Sequence, residues 1–157
     1  MKYKLSPHQD IDFGNMDDSF FLIGLLNEFT NRLQVVGDSF FEEVSWKQCF
    51  VLICLRFFKQ PPTLKEVSEI MGSSHQNVKQ LLLKLERIGF VTFETDEHDR
   101  RKQRILLTEK ADLFNEKHAE PSVIFMNELF KNINPENLAI TIQTLLALDE
   151  QLKKMHI

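Results

Sequence analysis

The chain is poor in the residues that mark disulfide, metal and cofactor proteins. It holds two cysteines in 157 residues, Cys49 and Cys54, five apart inside an apolar run. A disulfide framework needs more, and no Cys/His spacing suits a metal site. Two thiols among apolar neighbours fit a reducing cytosol. Only five glycines are present, and none lies in a glycine-rich loop that could cradle a phosphate or a dinucleotide. No Ser/His/Asp or Cys/His arrangement has a recognisable catalytic setting, so an enzyme reading lacks support. One Trp and one Tyr stand against fourteen Phe. Phe has no polar handle, so this aromatic set favours buried contacts over wet ones. The longest apolar runs, Phe20–Leu26 and Phe50–Leu55, are far short of the ~20 residues that a membrane helix needs. The stretch from Met1 to Pro7 has no apolar core that could serve as a signal peptide. The expectation is a cytoplasmic protein with no cofactor, no metal and no membrane partner.

A net positive charge is also missing. The formal charge is −4, which does not advertise a polyanion as partner. The balance differs locally. From His75 to Arg104 there are seven Lys/Arg and five Asp/Glu, a local +2, which leaves −6 for the rest of a chain that totals −4. Attraction to phosphates depends on local cations and not on the overall sign. Hydrophobic residues at 43% and charged residues at 27% are ordinary for a globular domain, and the length suits one core.

What is present is a series of capped helices. Residues 1–16 lack periodicity and read as an arm. From Asp17 to about Gly37, Phe21, Leu22, Leu25, Leu26, Phe29, Leu33 and Val36 recur at helical spacing. Phe20–Leu26 has almost no polar side, so a partner subunit is the expected cover. Ser45, with Gln48 three residues on, opens a second helix through a capping box. Pro61 and Pro62 break the chain. Thr63 and Glu66 form a second box, and the helix after it has Leu64, Val67, Ile70 and Met71 as core positions. Gly72 sits where a left-handed C-terminal residue is wanted. Ser73 and Ser74 start a fourth helix whose apolar stripe is Val78, Leu81, Leu82, Leu85 and Ile88, and Gly89 ends it. Val91–Thr95 alternates as a strand. Asp96–Arg101 is a polar tip, and Lys102–Leu107 returns with Ile105 and Leu107 on one face. Thr108 caps a fifth helix, expected to bend or break at Pro121. Asn134-Pro135 opens the last helix, with Asn as cap and Pro at the first position. That helix has Leu138, Ile142, Leu145, Leu146 and Leu152 as inward positions.

Two short helices joined by a Gly-Ser turn and followed by a hairpin make a winged helix-turn-helix. Its second helix enters a DNA major groove, so the outer face must be polar. Ser74, His75, Gln76, Asn77, Lys79, Gln80 and Lys84 supply that face. Gln and Asn can pair bidentately with adenine, and Ser and His can reach phosphates or base edges. A wing tip can reach the adjacent minor groove, where negative potential favours Arg. Asp99, Arg100, Arg101 and Lys102 lie at such a tip, and the acid can hold one guanidinium by a forked pair.

These segments resemble the MarR family of bacterial transcription regulators. The likeness is carried by Thr63–Ser74 (TLKEVSEIMGSS), by Leu85–Val91 (LERIGFV), by the wing Asp96–Arg101 (DEHDRR) with Leu107–Lys110 (LTEK), and by Ile133–Leu138 (INPENL). It runs from about residue 17 to 154. The resemblance implies a mainly α fold with a small β-hairpin wing. Residues 45–108 would form the DNA-binding domain, and residues 17–44 and 109–157 a helical dimerisation region. It implies a homodimer that reads a palindromic operator in double-stranded DNA, and a small aromatic or anionic effector in many members. The family's wing arginine matches Arg100 or Arg101. Three departures stand out: Ala111 where the family often has Gly, an outward Leu83 on the reading helix, and no Arg in that helix's first two turns. The residues also leave open a dimeric protein-docking or ligand-sensing module without DNA binding. Cys49 and Cys54 read as core or as an oxidant sensor. Phe40, Phe41, Phe57 and Phe58 read as core or as the lining of an effector pocket.

Overall fold

The computed structural model describes residues 16–97 and 99–155. The N-terminal arm therefore lies outside the described residues except for Met16, and so does His98 of the wing. The chain divides after Ala111 into two units. The first holds α1 (Asp18–Phe40), α2 (Trp46–Arg56), α3 (Leu64–Met71), α4 (His75–Arg87) and a hairpin of β1 (Val91–Thr95) and β2 (Gln103–Leu107); α5 (Glu109–Phe130) begins at its end, and α6 (Pro135–Lys154) lies in the second.

The helix starts follow from side chains that satisfy otherwise orphaned backbone donors. At Ser45 and at Thr63 both halves of the capping box are formed. The Thr63 N–H donates to Glu66 Oε2 at 2.7 Å, and the Ser45 N–H donates to Gln48 Oε1 at 2.9 Å. Ser74 accepts from the Asn77 N–H, Asp17 from the Ser19 N–H, and Asn134 from the Glu136 N–H. Each cap stabilises its helix by ~1 kcal/mol. Gly72 closes α3 in the left-handed conformation, at φ 58° and ψ 35°, which a side chain with a Cβ adopts at a cost.

The core of the first unit comes from α2, α3, α4 and the hairpin. Val51, Leu52, Cys54 and Leu55 of α2, Val67 of α3, and Val78, Leu82 and Leu85 of α4 are buried with Phe90, Val91 and Ile105. Val91 pairs with Leu107 and Phe93 with Ile105 in the antiparallel hairpin. Ile105 and Leu107 therefore share a face, as alternation requires. The sheet joins the helices through the Ile105 N–H, which donates to the Pro62 carbonyl at 2.9 Å, and an isolated bridge between Thr63 and Arg104.

Two expectations need correction, at Ile70 and in α6, and a third, the bend or break at Pro121, is narrowed. Ile70 is 45% exposed, and the buried α3 residue beside Val67 is Ser68. Its hydroxyl donates to the Leu64 carbonyl at 2.8 Å, which satisfies it inside the helix and lowers the cost of its burial. The fifth helix does not break at Pro121 but runs through it. Residues 117 and 121 are both exposed, so the missing hydrogen bond lies on a surface stretch of the helix. In the second unit α6 has no buried residue in the single chain, and Leu152 is 66% exposed. Of the Phe pairs, Phe41 lies in the core while Phe57 is exposed.

Candidate nucleic-acid interface

Helix α4 presents two unlike sides. Val78, Leu82 and Leu85 are buried, with Leu81 and Ile88 half-buried beside them. Ser74, His75, Gln76, Asn77, Lys79, Gln80 and Lys84 are all exposed. They are not equivalent. Ser74 is engaged as the N-cap, and Asn77 donates its side-chain amide to Ser73 Oγ at 2.9 Å. Both therefore shape the helix start. Gln76 and Gln80 are left as neutral side chains on the outer face.

The wing tip is organised by two carboxylates. Asp99 accepts from the Arg101 backbone N–H and Nε, each at 3.1 Å, and from Nη2 at 3.5 Å. Lys102 Nζ lies 3.6 Å from its other oxygen. The Arg101 donors hold the Asp99 carboxyl below the usual carboxylate range. Arg101 nevertheless keeps 91% of its side chain in solvent. Among the described residues Arg100 is exposed and has no ion pair. The forked pair expected at this tip thus belongs to Arg101. Asp96 differs from the rest of the tip. It is 7% exposed and accepts from Arg104 Nε and from the Asp99 N–H.

A cleft of about 800 Å³ opens between α3, α4 and the hairpin. It brings His75 and Lys79 of α4 together with Arg101 and Lys102 of the wing. Gln76, Gln80, Lys84 and Arg100 do not line it. Its floor includes Leu64, Leu83, Phe93 and Ile105. This places Leu83, which looks misplaced on a polar face, in the lining of the same cleft as Phe93 and Ile105 of the hairpin. Sequence reasoning missed Arg104, Asp96 and Glu66. Glu66 was marked only as the capping-box partner of Thr63, and nothing in the sequence sets the Asp96–Arg104 pair apart from the charges around it.

The thiols belong to the core and not to this surface. Burial pushes the Cys49 thiol up to about 11 and raises that of Cys54 as well. A shift of that size leaves roughly one Cys49 in ten thousand as thiolate at neutral pH, and only the thiolate reacts. Both cysteines should resist iodoacetamide in the folded protein and react once it is denatured. Rapid labelling of native protein at pH 7 would contradict their packing role. Among the described residues no cluster of His, Cys, Asp and Glu could hold a metal, and no helix is long and apolar enough to cross a membrane.

A reading helix, a turn and an arginine-tipped hairpin on one core define a winged helix-turn-helix protein. The particular fold is that of solved structures of MarR-family transcriptional regulators. A MarR/EmrR family regulator from Acinetobacter sp. ADP1 superposes with a TM-score of 0.78 at 15% identity, over 89% of this chain and 100% of that one. FabT of Streptococcus pneumoniae, solved in complex with DNA, gives 0.65 at 21% identity over 88% and 100%. BpsR of Bordetella bronchiseptica, described for the regulation of its DNA binding by 6-hydroxynicotinic acid, gives 0.70 at 18% identity over 82% and 98%. No protein-family model and no curated protein sequence matches the chain.

Proposed function

We propose that the protein is a homodimeric regulator that binds a palindromic site in double-stranded DNA. The observation that carries this reading is the exposed polar face of α4 beside a cleft that it shares with Arg101 and Lys102. In this reading α4 lies in a major groove with Gln76 and Gln80 at base edges. The cleft straddles the phosphate strand between the grooves, with His75, Lys79 and Lys102 as its contacts. Arg101 enters the next minor groove. Its pairing with Asp99 orders the guanidinium before binding, which reduces the entropy given up when DNA arrives. The two half-sites of the dimer lie ~34 Å apart, one turn of DNA. The DNA complex of FabT supports the reading by likeness of fold. A small aromatic or anionic effector is proposed with it, by likeness to BpsR.

Selection of bound duplexes from random DNA, followed by salt titration, tests the proposal. Wild-type protein should enrich a two-fold symmetric sequence. Changing Arg100 and Arg101 together to Ala should lower affinity for every duplex and flatten the salt dependence by ~0.9 for each phosphate that is no longer neutralised. Gln76→Ala should instead relax preference at particular base pairs by ~1–3 kcal/mol. Failure to enrich any sequence, with no salt-sensitive binding, would point to a docking module without DNA.

A further inference from the structure

The side chain with the widest reach in the first unit is neither on the outer face of α4 nor at the wing tip. Arg104 sits on β2, with about a third of its side chain exposed. Its Nε donates to Asp96 Oδ2 at the base of the wing. Its Nη1 donates to the Pro61 carbonyl at 3.2 Å and lies 3.6 Å from Glu66 Oε2 in the first turn of α3. One guanidinium thus ties the hairpin, the loop before α3 and the cap of α3. Planar forked donors suit such a junction, where a lysine would act as a single point charge.

The chain of bonds continues outward. Asp96 uses its other oxygen to accept from the Asp99 N–H at 2.8 Å, and Asp99 holds Arg101. A continuous line therefore runs from the α3 cap through Glu66, Arg104, Asp96 and Asp99 to Arg101. A two-stranded hairpin is marginal in isolation, and this one is joined to only one other backbone segment, at Pro62 and Thr63. Its angle to α4 thus depends on side chains. Asp96 is buried, and removing the Arg104 guanidinium takes away a charged partner that offsets part of the cost of that burial, so the wing is expected to shift toward water.

We propose that Arg104, acting through Asp96, is the positioning residue that fixes the wing against α4, so that Arg101 and the reading helix engage neighbouring grooves together. The inference rests on the DNA-binding reading and gives Arg104, which lines the same cleft without being one of the contacts assigned to DNA, a positioning role.

A double-mutant cycle on DNA affinity tests it, with full-length protein and the selected duplex. Arg101→Ala and Arg104→Gln should each weaken binding roughly tenfold, and the double variant should be no weaker than the worse single one, as for residues that act in one network. Arg104→Lys should not restore wild-type affinity. Effects that multiply, or full rescue by Arg104→Lys, would mean a direct phosphate contact and overturn the proposal. A second arm needs no DNA. In Arg104→Gln, and in Asp96→Asn should that variant fold better, the Asp99, Lys102 and Ile105 amides should exchange with solvent at least roughly tenfold faster, as a locally opened segment does. The α4 amides should keep their protection. Unchanged exchange at the tip overturns the latch. If the wild type binds no duplex, the proposed function fails and the latch is decided by exchange alone.

Discussion

Replacing Leu146 and Leu152 of α6 with glutamate is expected to convert the proposed homodimer into a folded monomer and to remove most of its affinity for the proposed two-half-site operator. The physical basis is the unusual surface of the second unit. Ile140, Leu146 and Leu152 of α6 are each at least 60% exposed, as are Phe20 and Ile23 of α1 in the first unit. Apolar positions at helical spacing that remain exposed among the described residues are what the proposed homodimer would cover. At ~25 cal/mol per Å², covering one such side chain contributes about 1.5–3 kcal/mol, and a glutamate in its place adds the cost of an unpaired buried charge. The α6 helix itself should survive, because glutamate is a good helix former. Light scattering at micromolar concentration should give the protomer mass, with unchanged far-ultraviolet dichroism. Joining two half-site readers raises affinity by ~10²–10⁴ over one. The monomer should fall by that factor on the full operator and bind an isolated half-site as the wild type does. A variant that remains dimeric would move the interface away from α6.

Much of this fold is written locally, and those parts are legible in the sequence. Ser45 with Gln48 and Thr63 with Glu66 fix two helix starts within a single turn, and Gly72 fixes an end. The hairpin register follows from the alternation of Val91, Phe93, Ile105 and Leu107. The exposed face of α4 can be read because its stripe spans three turns. Where the pattern is short, it misleads. Helix α3 has only eight residues, too few for periodicity to separate Ile70 from Ser68 as the inward position. At Pro121 the sequence shows the missing donor but does not say that the residue lies on an exposed stretch of the helix. The Asp96–Arg104 pair joins residues eight apart across a turn, and in the sequence it is indistinguishable from the solvated charges around it. The candidate site is legible as a set of residue types. Their division into cap formers, cleft lining and outer face depends on tertiary packing and is not.

The second large effect expected is at Gly37, where alanine should destabilise the protein even though alanine is the better helix former. Gly37 is the buried residue of α1. A Cβ built on it would fall on Cε3, Cδ2 and Cγ of the Trp46 indole, the last at 2.8 Å. The indole has little freedom to withdraw. It stacks on Phe41 with ring centroids 6.3 Å apart, Phe41 meets Phe40 edge-on at 4.9 Å, and the backbone under it is held by the Trp46 main-chain N–H, which donates to Asp38 Oδ1 at 2.6 Å. Two effects oppose each other. The intrinsic preference for alanine in a helix interior favours the substitution by ~1 kcal/mol. Overpacking of a well-filled site typically costs ~1–3 kcal/mol and occasionally more. The overlap involves three ring atoms and not the end of a flexible chain, so the steric cost should prevail. Gly37→Ala is therefore expected to lower the denaturation midpoint at fixed protomer concentration and to shift the emission of Trp46, the only tryptophan. Trp46→Leu should remove much of the penalty when combined with Gly37→Ala, because the two residues share one space and their effects are not additive. A Gly37→Ala protein as stable as the wild type, or strictly additive effects in the pair, would show that α1 does not approach α2 through this glycine.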